Sequence, residues 1–238
     1  MIELAMPDET TASLTRFDEL AETYEGWFTT RLGAFVARRE LGLILRLLQP
    51  RPGEVILEVG SGTGYFLREA ARPGARCIGV EPSAEMLAVA MSRPLVNVDY
   101  VIGCGESLPF KDASCDGLLY MTTLEFVQDV DAALREATRV VRPGGRLVFG
   151  VLNADGPWAR ARKREGGLWA DARFYGSAEL GALLSPLGAV QIDYCVHVPP
   201  QLGWLPAPLM SLVDWLVRRL SPAGGALIGA RVTKGRLQ

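Results

Sequence analysis

The sequence predicts an α/β protein built on a doubly wound, mostly parallel, seven-stranded sheet within one chain of 238 residues. Three observations carry that expectation. Short apolar segments of strand character alternate with stretches of three-to-four periodicity along residues 55–153, the pattern of successive βα units. Val55 to Phe66 reads VILEVGSGTGYF, a strand that runs into Gly60, Gly62 and Gly64 and then into a helix. Glycine suits such a turn because it reaches backbone angles closed to other residues and lets a ligand approach where no Cβ intervenes. An acid, Glu81, closes the next strand about 20 residues beyond the turn, where a doubly wound sheet brings its second strand beside the first.

Composition narrows the function. A formal charge of −2 and a pI near 5.6 give no broad positive surface, so nucleic acid is not an expected partner. No apolar run approaches the ~20 residues of a membrane span. The start, MIELAMPDETTAS, lacks the basic and apolar regions of a secretory signal, so a cytoplasmic protein is expected. Cys77, Cys104, Cys115 and Cys195 show no C-x-x-C spacing; they read as reduced thiols, and no metal site is expected.

Taken in order, Thr15 to Ala37 reads as a helix with Phe17, Leu20, Ala21, Tyr24, Trp27 and Phe28 on one side, and Glu40 to Leu48 as a second helix. The stretch QPRPG stops it, since proline denies a helix its donors. Strand one is Val55 to Val59, its helix Tyr65 to Ala71, strand two Arg76 to Val80, strand three Val98 to Gly103 and strand four Gly117 to Tyr120. Next come a turn, a helix stopped by RPGG at Arg142 to Gly145, and strand five. Asn153 to Tyr175 is a long polar segment rich in arginine and tryptophan, read as a loop of functional character. Ser177 to Leu187 reads as a helix capped by Ser177, Ala189 to His197 as strand six, and Leu227 to Thr233 as strand seven. Pro199 to Gly225 intervenes and holds an apolar helix, Ala207 to Leu220.

The segment E-x-G-x-G-x-G from Glu58 resembles motif I of the class I S-adenosylmethionine (SAM) methyltransferases. It departs from the dinucleotide pattern G-x-G-x-x-G, because Tyr65 and Phe66 stand where a third glycine would fall. EPSAEML from Glu81 is similar to the family's acid-x-S-x-x-M-L. CGESLPFKDASCDGLLY resembles G-D-A-x-x-L-P-F-x-x-x-x-F-D-x-V, except that Cys104 takes the place of the first acid. Met121 to Asn153 looks like the section after strand four in the type-11 group, with Thr122 and Glu125 where asparagine and histidine are common. The N-P-P-Y type of motif, which a flipped base would stack on, is absent. F-D-x-x-A-x-x-Y-x-x-W, from Phe17 to Trp27, resembles the N-terminal lid of small-molecule methyltransferases.

The resemblance covers about residues 44–198 and implies a SAM-dependent methyltransferase of the type-11 small-molecule group. It implies a SAM-binding core at 41–153, a helical lid at 1–40 and substrate-side inserts at 154–176 and 199–225, all within one domain. The implied cofactor contacts are Glu58, Gly60, Ser61, Gly62 and Gly64 along the methionine half, Glu81 on the ribose, and Pro82 and Met86 against adenine. Cys104, Gly105, Glu106 and Met121 complete the set; with Cys104 in the acid's place, the adenine amino group falls to Glu106, a backbone carbonyl or water. A small, partly apolar acceptor is expected, and a homodimer is compatible with the reading. Candidate bases are Tyr24, Glu125, Tyr175 and His197, the last of which also fits a packed polar role at a strand end. The apolar helix is read as a pocket wall before a dimer surface or an interfacial anchor. A non-catalytic SAM-binding module, favoured by Cys104, Thr122 and Glu125, and an NAD-dependent oxidoreductase are the alternatives; an arsenic methyltransferase is disfavoured because Cys77 and Cys104 fall on the cofactor side.

Overall fold

A computed structural model describes residues 17–169 and 172–235. The acidic N-terminal stretch and the first two residues of the expected N-terminal helix lie outside them. Seven strands form one sheet in the order β3-β2-β1-β4-β5-β7-β6. They are β1 (Val55–Val59), β2 (Arg76–Glu81), β3 (Val98–Ile102), β4 (Cys115–Met121), β5 (Val141–Leu152), β6 (Gly188–Cys195) and β7 (Leu227–Lys234). β1 to β5 pair in parallel, whereas β7 runs antiparallel to both β5 and β6. β6 therefore points the same way as β1 to β5, although its one neighbour opposes it.

Alternation along each strand explains the double winding. Ile56, Leu119, Met121 and Val148 enter one core cluster, while Leu57, Leu118, Tyr120 and Phe149 enter the other, so both faces are buried and both need helices. On the first face lie α2 (Arg31–Leu48) and α3 (Tyr65–Ala71); α4 (Ala84–Met91) follows β2; on the second face lie α5 (Val130–Val140) and α7 (Ser177–Leu184). The sheet order reverses between β1 and β4, and ligands of such sheets bind at that point beyond the carboxyl ends.

Several sequence boundaries need correction. The expected helix from residue 15 to 37 is broken at Thr30, not after Ala37. A helical turn at 17–20 leads to α1 (Gly26–Thr29), and Thr30 then caps α2 by accepting the Gly33 N–H at 3.0 Å. α2 continues unbroken through Glu40. The polar segment after β5 is not a loop throughout: it forms α6 (Pro157–Glu165), because Pro157 suits a first helical turn, the basic Arg162, Lys163 and Arg164 suit the last, and Gly166 stops it at φ 66°. RPGG does not separate helix from strand; it is absorbed as an irregularity of β5, with Gly144 at φ 76° and the β4 register jumping from Val141 to Arg146. Ser177 is the first residue of α7 and caps nothing, and Pro186 turns the last predicted residues into a 3₁₀ turn.

Candidate functional site

A cavity of about 320 Å³ opens at the switch point. Val59 and Gly60 line it from the end of β1, Glu81, Pro82 and Met86 from beyond β2, and Met121, Thr122 and Thr123 from beyond β4. Gly103, Cys104, Gly105 and Glu106 form the far end, and Phe17, Tyr24, Phe126 and Gln128 close over it.

The glycine turn is shaped by its own backbone. Gly60, Gly62 and Gly64 have φ of 70°, 52° and 78°, all left-handed. A Cβ on Gly60 would strike Thr123, and one on Gly64 would strike the Tyr100 hydroxyl. A Cβ on Gly62 would meet no protein atom within 4 Å, because it would project into the cavity. Glu81 braces this arrangement: one carboxylate oxygen accepts the Gly62 N–H at 2.8 Å and the other the Ser83 N–H at 3.0 Å. Burial raises the Glu81 pKa, and those two hydrogen bonds pull against the rise. Gly62→Val should therefore fold, with some backbone strain, yet obstruct the cavity; calorimetry with S-adenosylhomocysteine should show a loss at least as large as that of Glu81→Ala, discussed below.

Buried polar atoms without partners gather behind the turn: Glu58 Oε2, Ser61 Oγ and Thr63 Oγ1. Burial, and then the Glu81 charge, hold the Glu58 carboxyl well above the usual carboxylate range. Glu58, Ser61 and Gly64 support the turn without lining the cavity. At the opposite end a Glu106 oxygen accepts the Gln128 N–H at 3.1 Å, and burial keeps the Cys104 thiol protonated. Thr122, at φ 48°, sits in a conformation that costs a β-branched residue of the order of 1–3 kcal/mol, where an asparagine would rest more easily.

Residues 17–29 lie across the opening. Phe17 packs edge-on against Phe126 at 5.1 Å, Asp18 accepts from the Ser83 hydroxyl, Phe28 stacks on Tyr65 at 3.9 Å, and Glu25 pairs with Arg68 and Arg93. This segment delivers Tyr24 to the cavity wall. Burial raises the Tyr24 pKa, and the charges of Glu40, Glu81, Glu58 and Glu125 add to the rise.

Of the four candidate bases, Tyr24 alone lines the cavity. Glu125 lies behind its wall: Oε1 accepts the Leu152 N–H at 2.6 Å, Oε2 is buried without a partner, and burial pushes its pKa up to about 7. Tyr175 is fully buried, donates to the Leu124 carbonyl at 3.2 Å and has its pKa pushed up to about 12 by burial. His197 lies in a separate recess of about 130 Å³, between α2 and α8 (Ala207–Leu220), with Nε2 at 2.8 Å from the Pro222 carbonyl.

Two charged groups escaped the sequence reading. Glu40 is buried in α2, with no hydrogen bond or ion pair among the described residues, and burial pushes its pKa up to about 7. Arg162 lies 5.3 Å from the Trp158 ring and 5.0 Å from the Trp169 ring, and its charge acts on both Glu40 and Glu125. The signal for Glu40 was present: it interrupts the buried stripe of Val36, Ala37, Leu43, Ile44 and Leu47.

A glycine turn braced by a carboxylate, at the switch point of a sheet whose last strand is inserted antiparallel, defines the class I SAM-dependent methyltransferases. The chain belongs to that family, and its cofactor is S-adenosylmethionine. A family model described as "methyltransferase domain", of the type-11 group, matches residues 57–149. A SAM-dependent methyltransferase of Thermotoga maritima, described as a possible histamine N-methyltransferase, is similar with a TM-score of 0.74 and 29% identity, over 93% of this chain and 99% of that one. An uncharacterised protein of Methanocaldococcus jannaschii is 33% identical over 175 residues, 72% of this chain and 80% of its own length. A ubiquinone/menaquinone biosynthesis C-methyltransferase of Rubrivivax gelatinosus is 36% identical over 116 residues, 49% of this chain and 46% of that enzyme. Among the described residues no helix is long and apolar enough to cross a membrane, and no group of three or more His, Cys, Asp or Glu could hold a metal.

Proposed function

We propose that the chain transfers a methyl group from SAM to a small, partly apolar acceptor, with the cofactor in the switch-point cavity. The observation that carries this reading is Glu81, which holds the Gly62 N–H while facing the same cavity. Its carboxylate oxygens have acceptor capacity left for the ribose hydroxyls. Gly60 and Gly62 would border the methionine half, Pro82 and Met86 the adenine, and Cys104, Gly105 and Glu106 the adenine edge.

SAM supplies an activated methyl on a sulfonium, so the protein contributes chiefly alignment and exclusion of water, and orientation of this kind is worth up to ~7–11 kcal/mol. Tyr24, Phe17 and Phe126 would seat the acceptor beneath the covering segment. A proton leaving the acceptor must pass to a group within its reach, and of the candidate bases Tyr24 alone lines the cavity, whereas Glu125 lies behind the wall with Oε1 engaged by the Leu152 N–H. Tyr24, its hydroxyl kept neutral, would relay or orient instead of ionising.

The test is a pair of measurements. S-adenosylhomocysteine should raise the melting temperature whereas NAD should not, and labelled methyl should pass from SAM to small acceptors. Stabilisation by NAD in preference would defeat the assignment; binding of SAM with no transfer to any acceptor class would leave a non-catalytic binding module.

A further inference from the structure

The insert between β6 and β7 does not wall the cavity, as the sequence suggested; none of its residues lines it. α8 presents two different faces. Met210 and Asp214 are buried, and the Asp214 carboxylate accepts the His197 and Val198 N–H groups at 2.6 and 3.2 Å and pairs with Arg39, which fixes the helix to the end of β6. The outer face carries Leu209, Leu212, Trp215, Leu216 and Leu220, each between 45% and 87% exposed, and Trp204 just before the helix is 69% exposed. Six large apolar side chains gathered within seventeen residues form a patch, where scattered exposure would be unremarkable.

Charge decides what the patch fits. Asp214 is the only acid in residues 199–225, and it is buried, so the insert exposes no carboxylate. Arg218 and Arg219 close the helix; Arg218 pairs with Asp193 of β6 at 3.4 Å, whereas Arg219 lies 4.2 Å over the Trp215 ring and Arg31 reaches the Trp204 carbonyl at 2.8 Å, neither with an acid partner among the described residues. A two-fold dimer through this face would set arginines against arginines with no acid of the insert to answer them. Lipid phosphates answer them directly, while leucine and tryptophan enter the boundary between headgroups and acyl chains.

We propose that α8 and Trp204 dock the protein onto an anionic lipid surface. The Arg31 contact ties this face to the start of α2, immediately after the segment that covers the cavity, so docking brings the covering segment near the bilayer.

The experiment is sedimentation of the full chain with vesicles of phosphatidylcholine containing about one-third phosphatidylglycerol, against vesicles of phosphatidylcholine alone. Arg31 and Arg219 at this surface should favour the anionic vesicles roughly 10- to 30-fold, and ~0.5 M salt should remove most of that preference. L212E with L216E should abolish pelleting while leaving S-adenosylhomocysteine affinity and melting temperature unchanged. Should that pair compromise folding, R219E must still lower binding to anionic vesicles. Absence of pelleting, equal pelleting on both vesicles, or a wild-type dimer that L212E with L216E converts to a monomer would overturn the proposal.

Discussion

Replacing Glu81 by alanine is expected to lower affinity for S-adenosylhomocysteine roughly 10- to 150-fold, since hydrogen bonds to a charged group contribute ~1.5–3 kcal/mol. The structure adds a second route to the same loss. Glu81 also holds the N–H groups of Gly62 and Ser83, so its removal frees the glycine turn as well as the ribose. Glu81→Gln separates the two contributions, because an amide keeps one accepting oxygen but turns an NH₂ toward the other donor. It should fall between the parent and Glu81→Ala in a calorimetric titration. Parent-like affinity in Glu81→Ala would remove β2 from the cofactor site.

Raising the pH should destabilise the ligand-free protein through Glu40 and Glu125. An unfolded glutamate titrates near 4.5, and both are pushed to about 7 in the folded chain. Between those values the folded state binds more protons, so stability falls as the pH rises from about 4.5 to about 7, and the loss is complete above that range. Arg162 eases both carboxylates, Glu40 adds to the rise at Glu125, and Tyr24 faces the pair. Each acid accounts for up to about 3 kcal/mol, and the shared Arg162 keeps the pair below twice that. Glu40→Gln should melt about 6–12 °C above the parent at about pH 8 and close to it at about pH 5. An equal difference at both pH values would show that the carboxyl does not titrate in this window.

The core was legible because local pattern and global topology agree there. VILEVGSGTGYF specifies strand, turn and helix through residues whose backbone angles leave few alternatives, and Glu81 follows at the distance that the sheet demands. What failed was less local. The break at Thr30 depends on a single side-chain cap inside a continuous apolar stripe, and α6 hides in a segment whose polarity reads as loop. β6 points toward the cofactor edge, as expected, but it ends at Cys195, two residues short of His197, and β7 separates it from β5, so His197 reaches a different recess. Side-chain direction of that kind is set by packing partners far along the chain. Glu40 was visible as an acid in a buried stripe; its proximity to Glu125 and Arg162 was not, because three separate elements bring them together.

A crystal structure of the complex with S-adenosylhomocysteine tests the central claim most directly. The ribose hydroxyls should lie within hydrogen-bonding distance of the Glu81 carboxylate, adenine between Met86 and the Cys104–Glu106 end, and the homocysteine along Gly60 and Gly62, with the sulfur toward Tyr24. Ligand density elsewhere, or a ribose held without Glu81, would contradict it.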